Sequence, residues 1–162
     1  FKVDATRAPL TYYLGALGMP GMTAWFGLRE IGQPKAGETV VVSAASGAVG
    51  SVVGQIAKQM GCRTVGIAGG GEKCAYVRDV LGFDACVDYK AGNLYDDLKS
   101  ACPDGAHVYF DNVGGAVLDT MLRVMNPFSR IVLCGLIADY NATEPYGLKN
   151  IRAVLVNRIR MQ

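Results

Sequence analysis

From Ser43 to Ser51 the chain reads Ser-Ala-Ala-Ser-Gly-Ala-Val-Gly-Ser, following the β-branched run Thr39-Val40-Val41-Val42 and leading into a helical pattern. Small residues at such a junction can hold a dinucleotide pyrophosphate. In the Gly-x-Gly-x-x-Gly spacing, Ala45 takes the first glycine position. Gly47 lets the backbone approach phosphate, Ala48 and Val49 follow, and Gly50 lets the helix lie close on the strand. The helix N-terminus adds free N–H groups and a positive dipole end. Small-residue turns also join strands to helices for packing alone, so the rest of the chain decides between the two readings.

Three later loops offer matching chemistry. About 20 residues past the first loop, an enzyme using the unphosphorylated cofactor carries an acid for the ribose 2′-hydroxyl. Here that place holds Gly69-Gly70-Gly71, with Lys73 close behind to attract a 2′-phosphate, which points to NADP(H). Glu72 either turns inward to the ribose or complements the helix dipole. In Asp111-Asn112-Val113-Gly114-Gly115, Asn112 reads equally as a partner for ribose or nicotinamide and as an Asx turn capping the next helix. In the loop of Cys134, Gly135, Leu136, Ile137, Ala138, Asp139 and Tyr140, a glycine directly after a strand lets a cofactor lie on the backbone. Cys134 itself reads as a small packing residue.

The elements that would position these loops alternate. Residues 1–33 form a lead-in, with a helix expected over Met22–Glu30, and residues 34–162 form the nucleotide-binding domain. Strands are expected at Thr39–Val42, Thr64–Ala68, Ala85–Tyr89, Val108–Phe110 and Arg130–Leu133. Helices are expected at Gly50–Met60, Glu72–Leu81, Leu94–Ala101 and Ala116–Met125, with Gly61 and Gly82 as stops. A polar loop over 139–149, a short helix and a final strand follow. Apolar strands alternating with helices predict an α/β, Rossmann-type doubly wound parallel sheet of about six strands, with helices on both faces.

Composition narrows the partners. A formal charge of +2 with no basic stripe argues against nucleic acid. The apolar runs fall short of the roughly 20 residues of a membrane span, and a cytoplasmic protein is expected. Five cysteines without a Cys-x-x-Cys pair read as reduced core thiols, and no metal site is expected. His107, the single histidine, reads as a hydrogen-bonded edge residue ahead of its strand rather than as a base. Tyr95 and Lys99 match a Tyr-x-x-x-Lys pair, but they fall before the fourth strand, where that pair has no catalytic role. Phe1 in place of an initiator methionine, and a last strand breaking off at Gln162, make the chain read as a piece of a larger enzyme.

Several segments together resemble the medium-chain dehydrogenase/reductase superfamily. They are Gly18-Met19-Pro20-Gly21-Met22-Thr23-Ala24, the stretch from Ala44 to Lys58, Pro103-Asp104-Gly105, Tyr109-Phe110-Asp111-Asn112-Val113-Gly114-Gly115 and Arg130-Ile131-Val132-Leu133-Cys134-Gly135. Within it the chain is similar to the zinc-independent branch of prostaglandin reductases, alkenal (double-bond) reductases and curcumin reductases. The resemblance covers nearly all of the chain. It implies NADPH-dependent reduction of the C=C bond of α,β-unsaturated ketones or aldehydes by hydride delivery to the β-carbon, without zinc.

By position, the resemblance implies that Gly47 to Gly50 hold the pyrophosphate and that Lys73 and Tyr89 contact the 2′-phosphate region. Asn112 and the Cys134 to Tyr140 loop would line ribose and nicotinamide, and Tyr140 would polarise the substrate carbonyl as the catalytic residue. A GroES-like catalytic domain lies outside these residues, so the isolated chain is expected to bind NADPH weakly and to turn over no enone. A homodimeric full-length enzyme is compatible with the resemblance. A zeta-crystallin-like quinone oxidoreductase and a non-catalytic nucleotide-binding module are the competing readings, because function resides in sites grafted on folds.

Overall fold

The strands that carry these loops lie side by side in one sheet. The computed structural model describes residues 2–162; Phe1, the first residue of the expected lead-in, lies outside the described residues. Six strands, β1 (Thr39–Ser43), β2 (Arg63–Ala68), β3 (Ala85–Asp88), β4 (Ala106–Asp111), β5 (Met125–Leu133) and β6 (Arg160–Met161), pair in the order β3-β2-β1-β4-β5-β6. Every pairing is parallel. The expected doubly wound α/β sheet is therefore the observed one, and its order reverses between β1 and β4.

Both faces of the sheet are covered, so alternate residues of one strand feed two cores. Val41 and Tyr109 join Leu98, Leu118, Met121 and Ile131 beneath helices α5 (Leu94–Ala101) and α6 (Gly115–Met121). Val40, Val42, Val108 and Phe110 join Val53, Ala57, Val77 and Phe83 beneath α3 (Gly50–Gln59) and the π-helical turn over Tyr76–Val80 that continues α4 (Gly71–Ala75). Each such large side chain contributes about 1.5–3 kcal/mol on burial. At Gly54 a Cβ would stand 1.8 Å from Phe83 Cζ, so α3 can lie over the Phe83 ring only without a side chain there.

Several boundaries differ from expectation. The lead-in carries α1 (Leu10–Leu14), five residues with no side-chain cap and therefore no sequence signature. Helix α2 begins at Met19 instead of Met22, because Pro20 is tolerated in a first turn, and it passes into a π-helical turn over Gly27–Gly32. Ala24 and Leu28 of this run are fully buried against the sheet. Helix α6 ends at Met121, not Met125: Met125 is already paired with Ala106, and Pro127 falls in the register shift that follows. His107 lies within β4; its Nδ1 accepts the Thr39 N–H at 3.1 Å and its Nε2 is 3.2 Å from Asn126 Nδ2, so both ring nitrogens are engaged structurally. After α7 (Arg152–Val156) the chain enters the edge strand β6.

At the amino ends of the strands, Arg130 gathers the lead-in and the sheet. Its guanidinium donates to both carboxylate oxygens of Glu38, at 3.0 and 2.6 Å, and to the carbonyls of Gly32 and Gln33. Burial pushes the Glu38 carboxyl up, but the Arg130 fork and the Lys35 N–H outweigh it and hold the group below its ordinary value. A carboxyl lowered in the folded state stabilises above its unfolded pKa, about 4.3, and that contribution disappears as pH falls through the folded value. Glu38→Gln should therefore cost about 1–2 kcal/mol at pH 7 by chemical denaturation, and the gap should close below about pH 4. A gap independent of pH would overturn this account.

Candidate functional site

The carboxyl ends of the strands part where the order reverses, and a cleft of about 610 Å³ opens there. Ala44, Ser46 and Gly47 line it from the loop after β1, Gly69 from the loop after β2 and Lys73 from the start of α4. Tyr89 and Lys90 line it after β3, Val113 and Gly114 after β4, and Ile137 and Ala138 after β5.

The first loop is built by a backbone kink. Ala44 adopts a left-handed conformation, φ 48°, which costs a non-glycine residue about 1–2 kcal/mol, and the Gly47 N–H returns to its carbonyl at 2.9 Å. That carbonyl sits under the start of α3, where a Cβ on Gly50 would stand 2.4 Å from it. The glycine-like conformation thus falls on Ala44 instead of Ala45, which is fully buried beside Gly66. Among the described residues, the N–H groups of Ala48, Val49 and Gly50 find no acceptor in the chain, so this turn presents free donors.

Asp111 is buried beneath these loops and holds them. Its Oδ1 accepts from Ser43 Oγ at 3.0 Å, Tyr109 Oη at 2.7 Å, and the N–H groups of Val113 and Gly114 at 2.9 and 3.0 Å. Its backbone carbonyl accepts from Cys134 and Gly135 at 2.8 and 3.1 Å. Burial first, then the Asp111 charge, raises the Tyr109 phenol well above its ordinary value, so it remains a donor. The same two causes raise the Cys134 thiol, which suits a packing residue.

Of the residues singled out in the sequence, Gly47, Lys73, Tyr89, Ile137 and Ala138 meet at the cleft. Ala48, Val49 and Gly50 stand just behind Gly47. Asn112 donates its side-chain amide to the Ser43 carbonyl at 2.8 Å, while the Asx turn ahead of α6 belongs to Asp111. Gly135 packs beside the Tyr140 hydroxyl, which accepts the Leu136 N–H at 3.3 Å on the exposed rim; Asp139 accepts the Tyr146 N–H. Sequence reasoning missed Lys90 and Asp88, the residues flanking Tyr89. Asp88 Oδ1 accepts the N–H groups of Gly70 at 2.8 Å and Lys90 at 3.0 Å. Their one signal was position, since each lies at or just past a strand's carboxyl end. Among the described residues, no group of three or more His, Cys, Asp or Glu could hold a metal ion, and no helix is long and apolar enough to cross a membrane.

A parallel sheet in this order, with an open glycine-lined crevice at its reversal, defines a nucleotide-binding domain of the doubly wound class. The chain belongs to the zinc-binding dehydrogenase family, whose model matches residues 48–162, and this bears out the medium-chain dehydrogenase/reductase resemblance. It is 53% identical over 157 residues to the NADPH-dependent curcumin reductase of Escherichia coli, covering 94% of this chain and 46% of that protein. It is 48% identical over 163 residues to the 2-alkenal reductase (NADP(+)-dependent) of Nicotiana tabacum, covering 100% of this chain and 48% of that one. The crystal structure of CurA in complex with NADPH from Vibrio vulnificus superposes with a TM-score of 0.89 at 51% identity, covering 96% of this chain and 48% of that one. The chain spans about half the length of the relatives it matches.

The close approach at the first loop is testable. Gly50→Ala should lower stability by about 1–3 kcal/mol in chemical denaturation, because the obstructing atom is backbone. Gly71→Ala, where an added Cβ meets nothing within 4 Å, should stay within about 0.5 kcal/mol of the parent. Equal effects of the two would overturn the close-packing explanation.

Proposed function

We propose that this chain is the NADP(H)-binding domain of an oxidoreductase that reduces the carbon–carbon double bond of α,β-unsaturated ketones and aldehydes. The observation that carries the reading is the charge at the second loop. Lys73 and Lys90 line the cleft where a ribose-binding acid would stand, and among the described residues no Asp or Glu lines it. The similar curcumin and alkenal reductases are NADPH- and NADP(+)-dependent, which supports the same choice.

The residues fit that cofactor. Gly47 with the free N–H groups of Ala48, Val49 and Gly50 suits the pyrophosphate. Lys73, Lys90 and the Tyr89 hydroxyl suit the 2′-phosphate, and Val113, Gly114, Ile137 and Ala138 form the apolar wall for the nicotinamide end. When bound, the nicotinamide supplies a hydride to the substrate β-carbon. Negative charge then develops on the substrate carbonyl oxygen, and a donor aimed there stabilises it. In this reading Tyr140 is that donor: its oxygen accepts the Leu136 N–H, which leaves the hydroxyl proton free for substrate.

The same reading takes residues 1–33 as a lead-in and 34–162 as the cofactor domain of a longer cytoplasmic enzyme. Its catalytic domain would complete the substrate pocket, and a homodimer would form through the edge of β6.

Calorimetric titration of the full-length protein with NADPH and NADH tests the cofactor. NADPH should bind more tightly, and Lys73→Ala should weaken it about 10- to 100-fold while changing NADH less than about threefold, as expected for loss of a charge-assisted contact. Equal affinity of the parent for both would overturn the reading. Consumption of NADPH with an enone but not with a quinone would set the acceptor class.

A further inference from the structure

The three side chains that face the 2′-phosphate end of the cleft come from two separate segments, the start of α4 and the loop after β3, and one carboxylate oxygen joins them. Lys73 follows Gly70, the cap residue of α4, by three positions; Tyr89 and Lys90 follow β3. Asp88 Oδ1 accepts the Gly70 N–H from one side and the Lys90 N–H from the other. The Tyr89 N–H is held by the Ala68 carbonyl at 3.1 Å. The Tyr89 ring then lies on Gly69, where a Cβ would meet Tyr89 Cε1 at 2.8 Å and Oη at 3.0 Å, with Lys90 Cε at 3.1 Å. Gly69 is bare because these two side chains need its space. No side chain caps α4, so the Asp88 bond is what fixes its entry residue to β3.

The geometry points to Asp88 as a positioning residue that sets selectivity for a 2′-phosphorylated over an unphosphorylated nicotinamide cofactor, by holding the Lys73 and Tyr89–Lys90 loops in register. This inference rests on the 2′-phosphate reading above. Asp88 does not line the cleft and acts through the loops it joins. What the loops require is an acceptor oxygen. The carboxylate's negative charge is a repulsive neighbour for a phosphate and is offset here by its two N–H donors. That separates Asp88 from a merely structural residue, because asparagine keeps the acceptor at the same reach and removes the charge.

The test is the ratio of NADPH to NADH affinity, measured by calorimetric titration of the full-length protein, since the two cofactors differ only in the 2′-phosphate. Asp88→Ala should lower that ratio about tenfold, with NADH affinity nearly unchanged, as expected for loss of one charge-assisted positioning contact. Asp88→Asn should keep the ratio at or above the parent value. Asp88→Ser, whose shorter hydroxyl cannot reach both N–H groups, should lower it and serves should Asp88→Ala fail to fold. A parent without preference for NADPH overturns the cofactor reading itself. A selective parent whose Asp88→Ala and Asp88→Ser variants keep the ratio, or whose Asp88→Asn variant loses it, overturns the role of Asp88 alone.

Discussion

The cleft depends on one buried carboxylate. Asp111 ends β4 with no exposed surface, and a polar group in that position is costly unless its hydrogen bonds to water are replaced; its Oδ1 is fully served, while its buried Oδ2 has no partner among the described residues. Four donors converge on a single oxygen, one from β1, one from β4 itself and two from the loop beyond. The backbone carbonyl of the same residue receives the first two N–H groups of the loop after β5. The loops after β1, β4 and β5 are therefore anchored to one residue, and their relative positions follow from sheet geometry with little freedom of their own. Breaking that anchor would leave buried donors unpaired as well as a displaced loop, which makes it costly to disturb.

Beside that anchor, the first loop is shaped by strain. Ala44 is held left-handed because the chain must leave β1 and enter α3 within a few residues while the two elements stay in contact. The kink turns its carbonyl toward the helix, and only glycine at position 50 leaves room for it. Strain of this kind persists where surrounding structure over-determines it. Here Ser43, one residue earlier, is locked by Asp111 and Asn112. The same turn that spends energy on Ala44 leaves the N–H groups of Ala48, Val49 and Gly50 without an acceptor among the described residues.

How much of this was legible in the sequence follows from which interactions are local. The strand-to-helix units were, because β-branched runs, glycines after strands and an amphipathic stretch such as Leu94–Ala101 carry their own pattern. The end of α6 was not: Met121, Leu122, Val124 and Met125 are apolar throughout, and whether such a run continues a helix or starts a strand is decided by pairing with Ala106. Lys73 could be placed by its distance from the first loop. Lys90 could not, since its place at the cleft comes from the packing of Tyr89 over Gly69, between residues just past the ends of different strands. Asn112 and Asp111 illustrate the same limit, as adjacent residues with similar side chains whose roles are divided by which one faces the interior.

The two ends of the sheet also divide the work. At the amino ends, Arg130, Glu38, His107 and Thr39 pair with one another and with several backbone carbonyls. At the carboxyl ends the loops are glycine-rich, their donors are left open, and two lysines face a cavity instead of carboxylates. A parallel sheet makes this separation natural, because every strand delivers its following loop to the same side. Polar groups paired at one end hold the strands and the lead-in together, and those left unpaired at the other can wait for a charged ligand without the fold relying on them. The cationic second loop is thus a feature that stability does not require, and that is the physical reason to read it as part of a binding site.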